Sequence, residues 1–240
     1  MRLDAFLAQR EKISRTKCRE LILEGKVKVE GRTALKPSLP LEGGEKVELE
    51  PGEAFVSRGA LKLKAALEEF APLGLEVSGR LCIDIGASTG GFTQVLLARG
   101  ARAVIALDVG WGQLSPLLER DPRVRNMEGV NVRSLDPSSL PFPPSFASAD
   151  LSFISLSLAF PKIAEIGSVR DCVALVKPEF EVGRRGLGKG GVVKDEGKRL
   201  ECLAAAEEAA QRSGFRIASR IASPIRGEKG NEEFLIWAYR

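Results

Sequence analysis

Histidine is absent from all 240 residues. That absence removes Ser-His-Asp and Cys-His nucleophilic centres together with the common histidine-containing zinc sites, and leaves proton handling to Lys, Asp, Glu or water. Cysteine is scarce, with Cys18, Cys82, Cys172 and Cys202 in no C-x-x-C spacing. Neither a zinc knuckle nor a disulfide framework is indicated, buried free thiols are expected, and no metal site is expected. No apolar run approaches the ~20 residues of a bilayer span, and the opening "MRLDAFLAQREKIS" is charged where a secretory signal would be apolar. The expectation is a soluble cytoplasmic chain. At 44% hydrophobic residues, it can bury the core of one large domain, or of an ordinary domain plus a small one.

What charge there is lies unevenly. The first 40 residues hold ten Lys/Arg against five Asp/Glu, whereas the remaining 200 sum to −1. A basic head on a nearly neutral body suits an anionic partner, although a single charge run is more commonly a solvated face.

That head reads as two short helices and a small sheet. "RLDAFLAQR" places Leu3, Phe6 and Leu7 on one face; "SRTKCRELILEG" opens with a cap at Ser14, groups Cys18, Leu21 and Ile22, and closes at Gly25. "KVKVEG" and "EKVELEP" alternate like strands about a turn at Gly31. Arg15 and Arg19 lie one helical turn apart with Lys12 and Lys17 nearby, a row of cations suited to a phosphate backbone. The run 2–32 resembles the αL RNA-binding module shared by a ribosomal small-subunit protein, pseudouridine synthases and tyrosyl-tRNA synthetases. The resemblance implies RNA contacts from Lys12, Arg15, Lys17, Arg19, Lys26 and Lys28. No aromatic side chain accompanies the basic helix, so recognition by shape and backbone is expected there.

A linker is expected at about 50–56, dividing an RNA-binding domain, 1–55, from a second domain, 57–240. Beyond it, strands and helices alternate, which indicates an α/β fold. After the helix "SRGALKLKAALEEF", with Leu61, Ala65 and Phe70 facing inward, strands are expected at "RLCIDI", "ARAVIALD", "RVRNMEGV", "FASADLSF", "DCVALVKP", "FRIASRIA" and "EFLIWAY". Helices are expected over 91–99, 112–120, 156–166 and 195–212. About ten residues without a helix join the last two strands, so these form an antiparallel hairpin rather than a parallel crossover. A mostly parallel seven-stranded sheet finishing this way resembles the class I, Rossmann-like methyltransferases.

"CIDIGASTGGFTQ" reads as strand, glycine turn and helix, at the place where open α/β sheets bind ligands. As a dinucleotide fingerprint, Gly86-x-Ser88-x-x-Gly91 is a loose match. Asp84 beside the turn would repel a pyrophosphate and attract a cationic ligand or its ammonium group through water or the loop amides, which fits S-adenosylmethionine; a capping or ion-paired carboxylate is the alternative. Asp108, ending the second strand, is placed to hold ribose hydroxyls. Asn131 follows the third strand and is placed to face an adenine, and Asp150 ends the fourth.

"DIGASTGGFTQ" resembles the FtsJ-like ribose 2′-O-methyltransferases, with their D-x-G-x-x-x-G-G-[WF]-[ST]-Q motif. The resemblance implies cofactor contacts from Asp84, Gly86, Ser88, Gly90, Gly91, Phe92, Asp108, Asn131 and Asp150. It also implies a catalytic Lys-Asp-Lys-Glu set: Lys62 from "SRGALKL", Asp150 from "ASADLS", Lys177 from "ALVKPEFEVG" and Glu233 from "NEEFLIWA", with Glu232 the less favoured neighbour. With the amino-terminal module and "GGVVKD" at 190–195, the whole chain resembles the TlyA type, often labelled hemolysin A. This implies methylation of cytidine 2′-hydroxyls in ribosomal RNA or a ribosomal subunit. The chain resembles the shorter members of that type, which points to large-subunit RNA, with the small subunit as the alternative.

Methyl transfer from a sulfonium to an alcohol needs alignment and a partly deprotonated hydroxyl, and it needs no metal. Lys177 is assigned to that hydroxyl, as base if neutral or as stabiliser if charged. Three other readings are weaker. An RNA-binding protein without catalysis would not need all four residues. A membrane-damaging protein would need a large amphipathic face that the sequence lacks. An NAD-dependent oxidoreductase would need a hydride-site acid.

Overall fold

The computed structural model describes residues 1–11, 15–23, 25–49, 55–183, 187–227 and 229–240, except for the side chains of Lys17, Glu20 and Lys189. The chain divides into two compact units, Met1–Ala54 and Phe55–Arg240.

In the first unit, α1 (Leu3–Glu11) and α2 (Arg15–Leu23) precede β1 (Val27–Val29), β2 (Arg32–Thr33) and β3 (Val47–Leu49). The sheet order is β2-β1-β3 with both pairings antiparallel. The turn at Glu30 and Gly31 therefore returns the chain into a two-residue strand that the alternation pattern did not reveal. Leu3, Leu7, Cys18, Ile22, Val27, Ala34, Leu41 and Val47 form the core. The Ser14 cap lies outside the described residues. Gly25 ends α2 in the left-handed region at φ +74°, where glycine is unstrained.

The second unit opens with α3 (Gly59–Phe70) and continues through β4 (Leu81–Ile85), α4 (Gly91–Ala98), β5 (Ala103–Leu107), α5 (Pro116–Glu119), β6 (Val124–Met127) and β7 (Phe146–Ala149). It closes with α6 (Leu156–Glu165), β8 (Asp171–Val176), α7 (Pro178–Glu181), α8 (Glu196–Arg212), β9 (Arg216–Ala222) and β10 (Phe234–Tyr239). Seven strands form one sheet in the order β6-β5-β4-β7-β8-β10-β9. β4 to β8 run parallel, and β10 is antiparallel to both its neighbours.

Side chains alternate across each strand, so β4 feeds two cores. Cys82 joins Leu63, Phe70, Phe92 and Leu96 beneath α3 and α4, while Ile83 and Ile85 join Phe160, Ile163 and Leu203 beneath α6 and α8. On α3 the buried stripe is Ala60, Leu63, Leu67 and Phe70, at the spacing of one helical face. Leu61 and Ala65, expected inward with Phe70, are instead half-buried, because they lie to the side of that stripe. The helix expected over 112–120 is reduced to α5, since Ser115 caps it by accepting the Leu117 N–H and Pro116 fixes its first position. Strand order reverses between β4 and β7, whose carboxyl ends open the crevice where such sheets bind ligands.

Candidate active site

The turn after β4 is built from glycines that have no room for a side chain. A Cβ on Gly86, at φ +85°, would collide with the Asp150 carbonyl, one on Gly90 with Leu118, and one on Gly91 with the Ser57 hydroxyl. Gly86 and Ser88 line the crevice, whereas Gly90, Gly91 and Phe92 lie off its wall. Phe92 packs in the core under α3. The sequence pattern at these three positions coincides with close packing of α4.

Asp84 also lies off the crevice wall. It is fully buried, and it accepts hydrogen bonds from the Thr93 hydroxyl at 2.7 Å and the Ser148 hydroxyl at 2.9 Å. Burial pushes its carboxyl up to about 7 against these hydrogen bonds. The expected attraction for a ligand ammonium has no direct route from there; Asp84 ties α4 and β7 to β4 from beneath the turn. Because the folded protein holds this proton more tightly than the unfolded chain, stability is expected to fall as pH rises from about 4 through about 7. Asp84→Asn keeps a hydrogen-bonding amide among the same hydroxyls and should flatten that slope, gaining about 2–4 kcal/mol at pH 8. Thermal melts of both proteins from pH 5 to 8 check this, and parallel curves would count against it.

The crevice has a volume of about 530 Å³ and is lined by residues between Gly86 and Leu158, a size suited to a small-molecule ligand. Asp108, at the end of β5, accepts the Ser88 N–H at 2.8 Å and the Gly110 N–H at 2.7 Å, which fixes its carboxylate at the wall. Glu128, which the sequence did not single out, accepts N–H groups of Gly112, Gln113 and Leu114 at 2.8–3.2 Å. Those bonds hold its carboxyl below the usual range and shape the loop that carries Val109 and Gln113 to the wall. Asn131 lines the crevice while its side-chain oxygen caps a short helix by accepting the Arg133 N–H at 3.0 Å. Leu107, Val130 and Val132 give the crevice an apolar lining, to which Asp108 and Asn131 add a carboxylate and a side-chain amide.

At one end of this crevice the four residues Lys62, Asp150, Lys177 and Glu233 come together from α3, the end of β7, the end of β8 and the start of β10. Lys62 Nζ lies 2.5 Å from Glu233 Oε2, and Lys177 Nζ lies 2.6 Å from Asp150 Oδ1. The β8–β10 pairing sets Val176 opposite Phe234, which brings the residues just beyond, Lys177 and Glu233, to the same end of the sheet. Burial raises the Glu233 carboxyl, Lys62 and Lys177 lower it, and Asp150 raises it again, so each of the other three is close enough to act on its charge. Glu233 is 3% exposed and Lys62 8%. Glu232 instead pairs outward with Arg199 and Arg226.

Asp150 opens a loop, 150–155, that forms much of the crevice wall. Lys177 donates to the Ser152 hydroxyl at 3.1 Å. Phe153 stands at φ +65° and is 89% exposed. Its ring meets Phe180 at 5.2 Å between centroids, and the Lys177 ammonium lies 5.8 Å from the Phe180 centroid. An exposed aromatic in a conformation that costs an L-residue about 1–2 kcal/mol is a feature that sequence periodicity cannot show. Among the described residues, no three of Cys, Asp or Glu are grouped so as to hold a metal ion, and no helix is long and apolar enough to cross a membrane.

In the amino-terminal unit, the buried carboxylate of Asp4 receives Arg2 at 3.0 Å and Arg15 at 3.1 Å, and they hold it at about 2. Two exposed guanidinium groups are thus gathered at one point, and Arg2 is a cation that the sequence reading did not single out. Arg19 and Lys26 are exposed and Lys28 is half-buried. Lys12 and the side chain of Lys17 lie outside the described residues.

The FtsJ-like methyltransferase profile matches residues 55–240, and the S4 domain profile matches residues 1–47. The chain is 44% identical over 240 residues to the 16S/23S rRNA (cytidine-2′-O)-methyltransferase TlyA of Mycobacterium tuberculosis, covering 98% of this chain and 88% of that protein. This chain is a TlyA-type member of the FtsJ-like methyltransferase family. Other relatives of the TlyA-type chain include the 23S rRNA (cytidine-2′-O)-methyltransferase TlyA of Campylobacter jejuni, at 34% identity with 99% and 98% coverage. Hemolysin A of Brachyspira hyodysenteriae is 37% identical, with 98% of each covered. A Streptococcus thermophilus protein of known structure, provisionally named a hemolysin, is 39% identical with a TM-score of 0.75, covering all of the TlyA-type chain and 88% of its own.

Proposed function

We propose that this methyltransferase uses S-adenosylmethionine to methylate cytidine 2′-hydroxyls of ribosomal RNA. The observation that carries the reading is the meeting of two Lys–carboxylate pairs at one end of a nucleoside-sized crevice, with Asp150 belonging to one of the pairs and also to the crevice wall. S-adenosylmethionine supplies a methyl group on a sulfonium. Gly86, Ser88, Asp108 and Asn131 would hold its nucleoside and amino-acid parts, and Asp108 suits the ribose hydroxyls because its carboxylate is already aligned by two backbone N–H groups.

The acceptor side falls to the other residues. A ribose hydroxyl is a weak acid, so the site must orient it in line with the methyl–sulfur bond and stabilise the negative charge that develops. Lys177, ion-paired with Asp150 and anchored to Ser152, is the cation for that oxygen. Lys62 and Glu233 hold the arrangement from below. Phe153 offers an open aromatic face beside the crevice for the base of an unstacked nucleotide, the usual way proteins grip single-stranded RNA. The S4 unit, with Arg2, Arg15, Arg19, Lys26 and Lys28, would dock on folded RNA through phosphates, and such a substrate places the enzyme in the cytoplasm.

The relatives from Mycobacterium tuberculosis and Campylobacter jejuni share 23S rRNA in their names, so large-subunit RNA is the proposed target. Purified small and large ribosomal subunits incubated with enzyme and labelled S-adenosylmethionine should show 2′-O-methylcytidine in 23S RNA, located by primer-extension stops. Label on base atoms, or none in either subunit, would overturn the proposal.

A further inference from the structure

We propose that Glu181, with its neighbour Phe180, is a positioning residue that holds the 150–155 loop so that Phe153 is presented to the base of the target nucleotide. The inference rests on the reading of Phe153 given under the proposed function and identifies what makes that residue effective.

The loop is held at both ends and in the middle. At its start, the Asp150 N–H donates to the Ile85 carbonyl at 3.0 Å and its carboxylate is paired with Lys177. At its far end, one carboxylate secures two groups: Glu181 Oε1 accepts the Leu156 N–H at 2.9 Å, and Oε2 accepts the Ser155 hydroxyl at 2.6 Å. Ser155 is itself the cap of α6, accepting the Ser157 N–H at 3.1 Å. Glu181 is half-buried and burial raises its carboxyl, so its place is maintained by these bonds rather than by solvent. Between the two ends, Phe180 lies against the ring of Phe153.

All of these restraints except the Ile85 and Ser157 bonds come from one short stretch, Lys177 to Glu181. The same segment that supplies the cation for the hydroxyl therefore also sets the aromatic face for the base. A left-handed, largely exposed phenylalanine gains little from burial of its own; without the anchor at Ser155 and Leu156 its loop would spread over several conformations, and the base would lose a preformed platform. The tetrad would remain, because neither Lys–carboxylate pair includes Glu181.

The test compares Glu181→Ala, Glu181→Gln, Phe153→Ala and the Glu181→Ala/Phe153→Ala double variant in the full chain. Each is measured for kcat and for KM toward ribosomal RNA, and for S-adenosylmethionine affinity by calorimetry. Stacking of one base is worth about 1–3 kcal/mol, so Glu181→Ala should raise the RNA KM about tenfold with kcat within about threefold. Glu181→Gln should act almost as wild type, because its amide can accept from Leu156 N–H and donate to Ser155 Oγ. On the Phe153→Ala background, removing Glu181 should raise KM no further. An unchanged KM in Glu181→Ala, or effects that add in full in the double variant, would overturn the positioning role while leaving the base platform standing. An unchanged KM in Phe153→Ala would overturn the platform itself and this inference with it.

Discussion

Lys177→Ala is expected to lower single-turnover methyl transfer by about a thousandfold, within the range for loss of a group that acts on a proton or an oxyanion. S-adenosylmethionine affinity should stay within about threefold of wild type, since Lys177 is not among the residues that line the crevice and the loss falls on the transition state. The geometry gives the reason for the size of the effect. Lys177 reaches Asp150 at 2.6 Å and Ser152 at 3.1 Å, with its side chain 13% exposed, so water cannot readily replace its charge. Rapid-quench transfer assays with saturating RNA, paired with calorimetry for the methyl donor, check both halves. Full turnover in this variant would remove Lys177 from the chemistry, and loss of donor binding would assign it to the cofactor.

A different kind of loss is expected from Lys62→Met. The methionine matches the buried stem, yet the Glu233 carboxylate loses its 2.5 Å partner in a place that is 3% exposed. Breaking a buried pair from one side costs about 3–5 kcal/mol, and activity should be lost together with stability. Burial already raises the Glu233 carboxyl, and Lys62 opposes that rise. Without Lys62 the folded state binds the proton more tightly still, so the variant should melt lower at pH 8 than at pH 6, with stability falling as pH rises through the new folded value. Adding Glu233→Gln removes the stranded charge and should restore most of the melting temperature without restoring transfer. A Lys62→Met protein as stable as wild type at pH 8 would show that Glu233 is better solvated than its burial indicates.

The architecture was largely legible in the sequence because its signals are local. The apolar runs of β4, β5 and β8, the glycine turn that follows β4, and the short connection before β10 each report on their own neighbourhood. The tetrad was legible only through the resemblance of four local contexts, since nothing in the spacing of Lys62, Asp150, Lys177 and Glu233 shows that a strand reversal brings the last of them back. The partners of Asp84 were not legible: strand alternation turns it toward α4, and the Thr93 and Ser148 hydroxyls that occupy it lie 9 and 64 residues away. Phe153, Glu128 and Glu181 were passed over because their roles consist of loop conformation and of hydrogen bonds to distant backbone groups, neither of which leaves a periodic trace.

The residues that line the crevice all fall within one continuous stretch, Gly86 to Leu158, whereas Lys62, Lys177 and Glu233 arrive from before and after it. On the proposed reading, the cation for the acceptor oxygen is encoded outside the stretch that forms the donor crevice, and the 150–155 loop with Phe153 is common to both. A lineage built on this plan could alter the outlying residues while inheriting most of its donor crevice, with that loop as the part that must serve two partners at once.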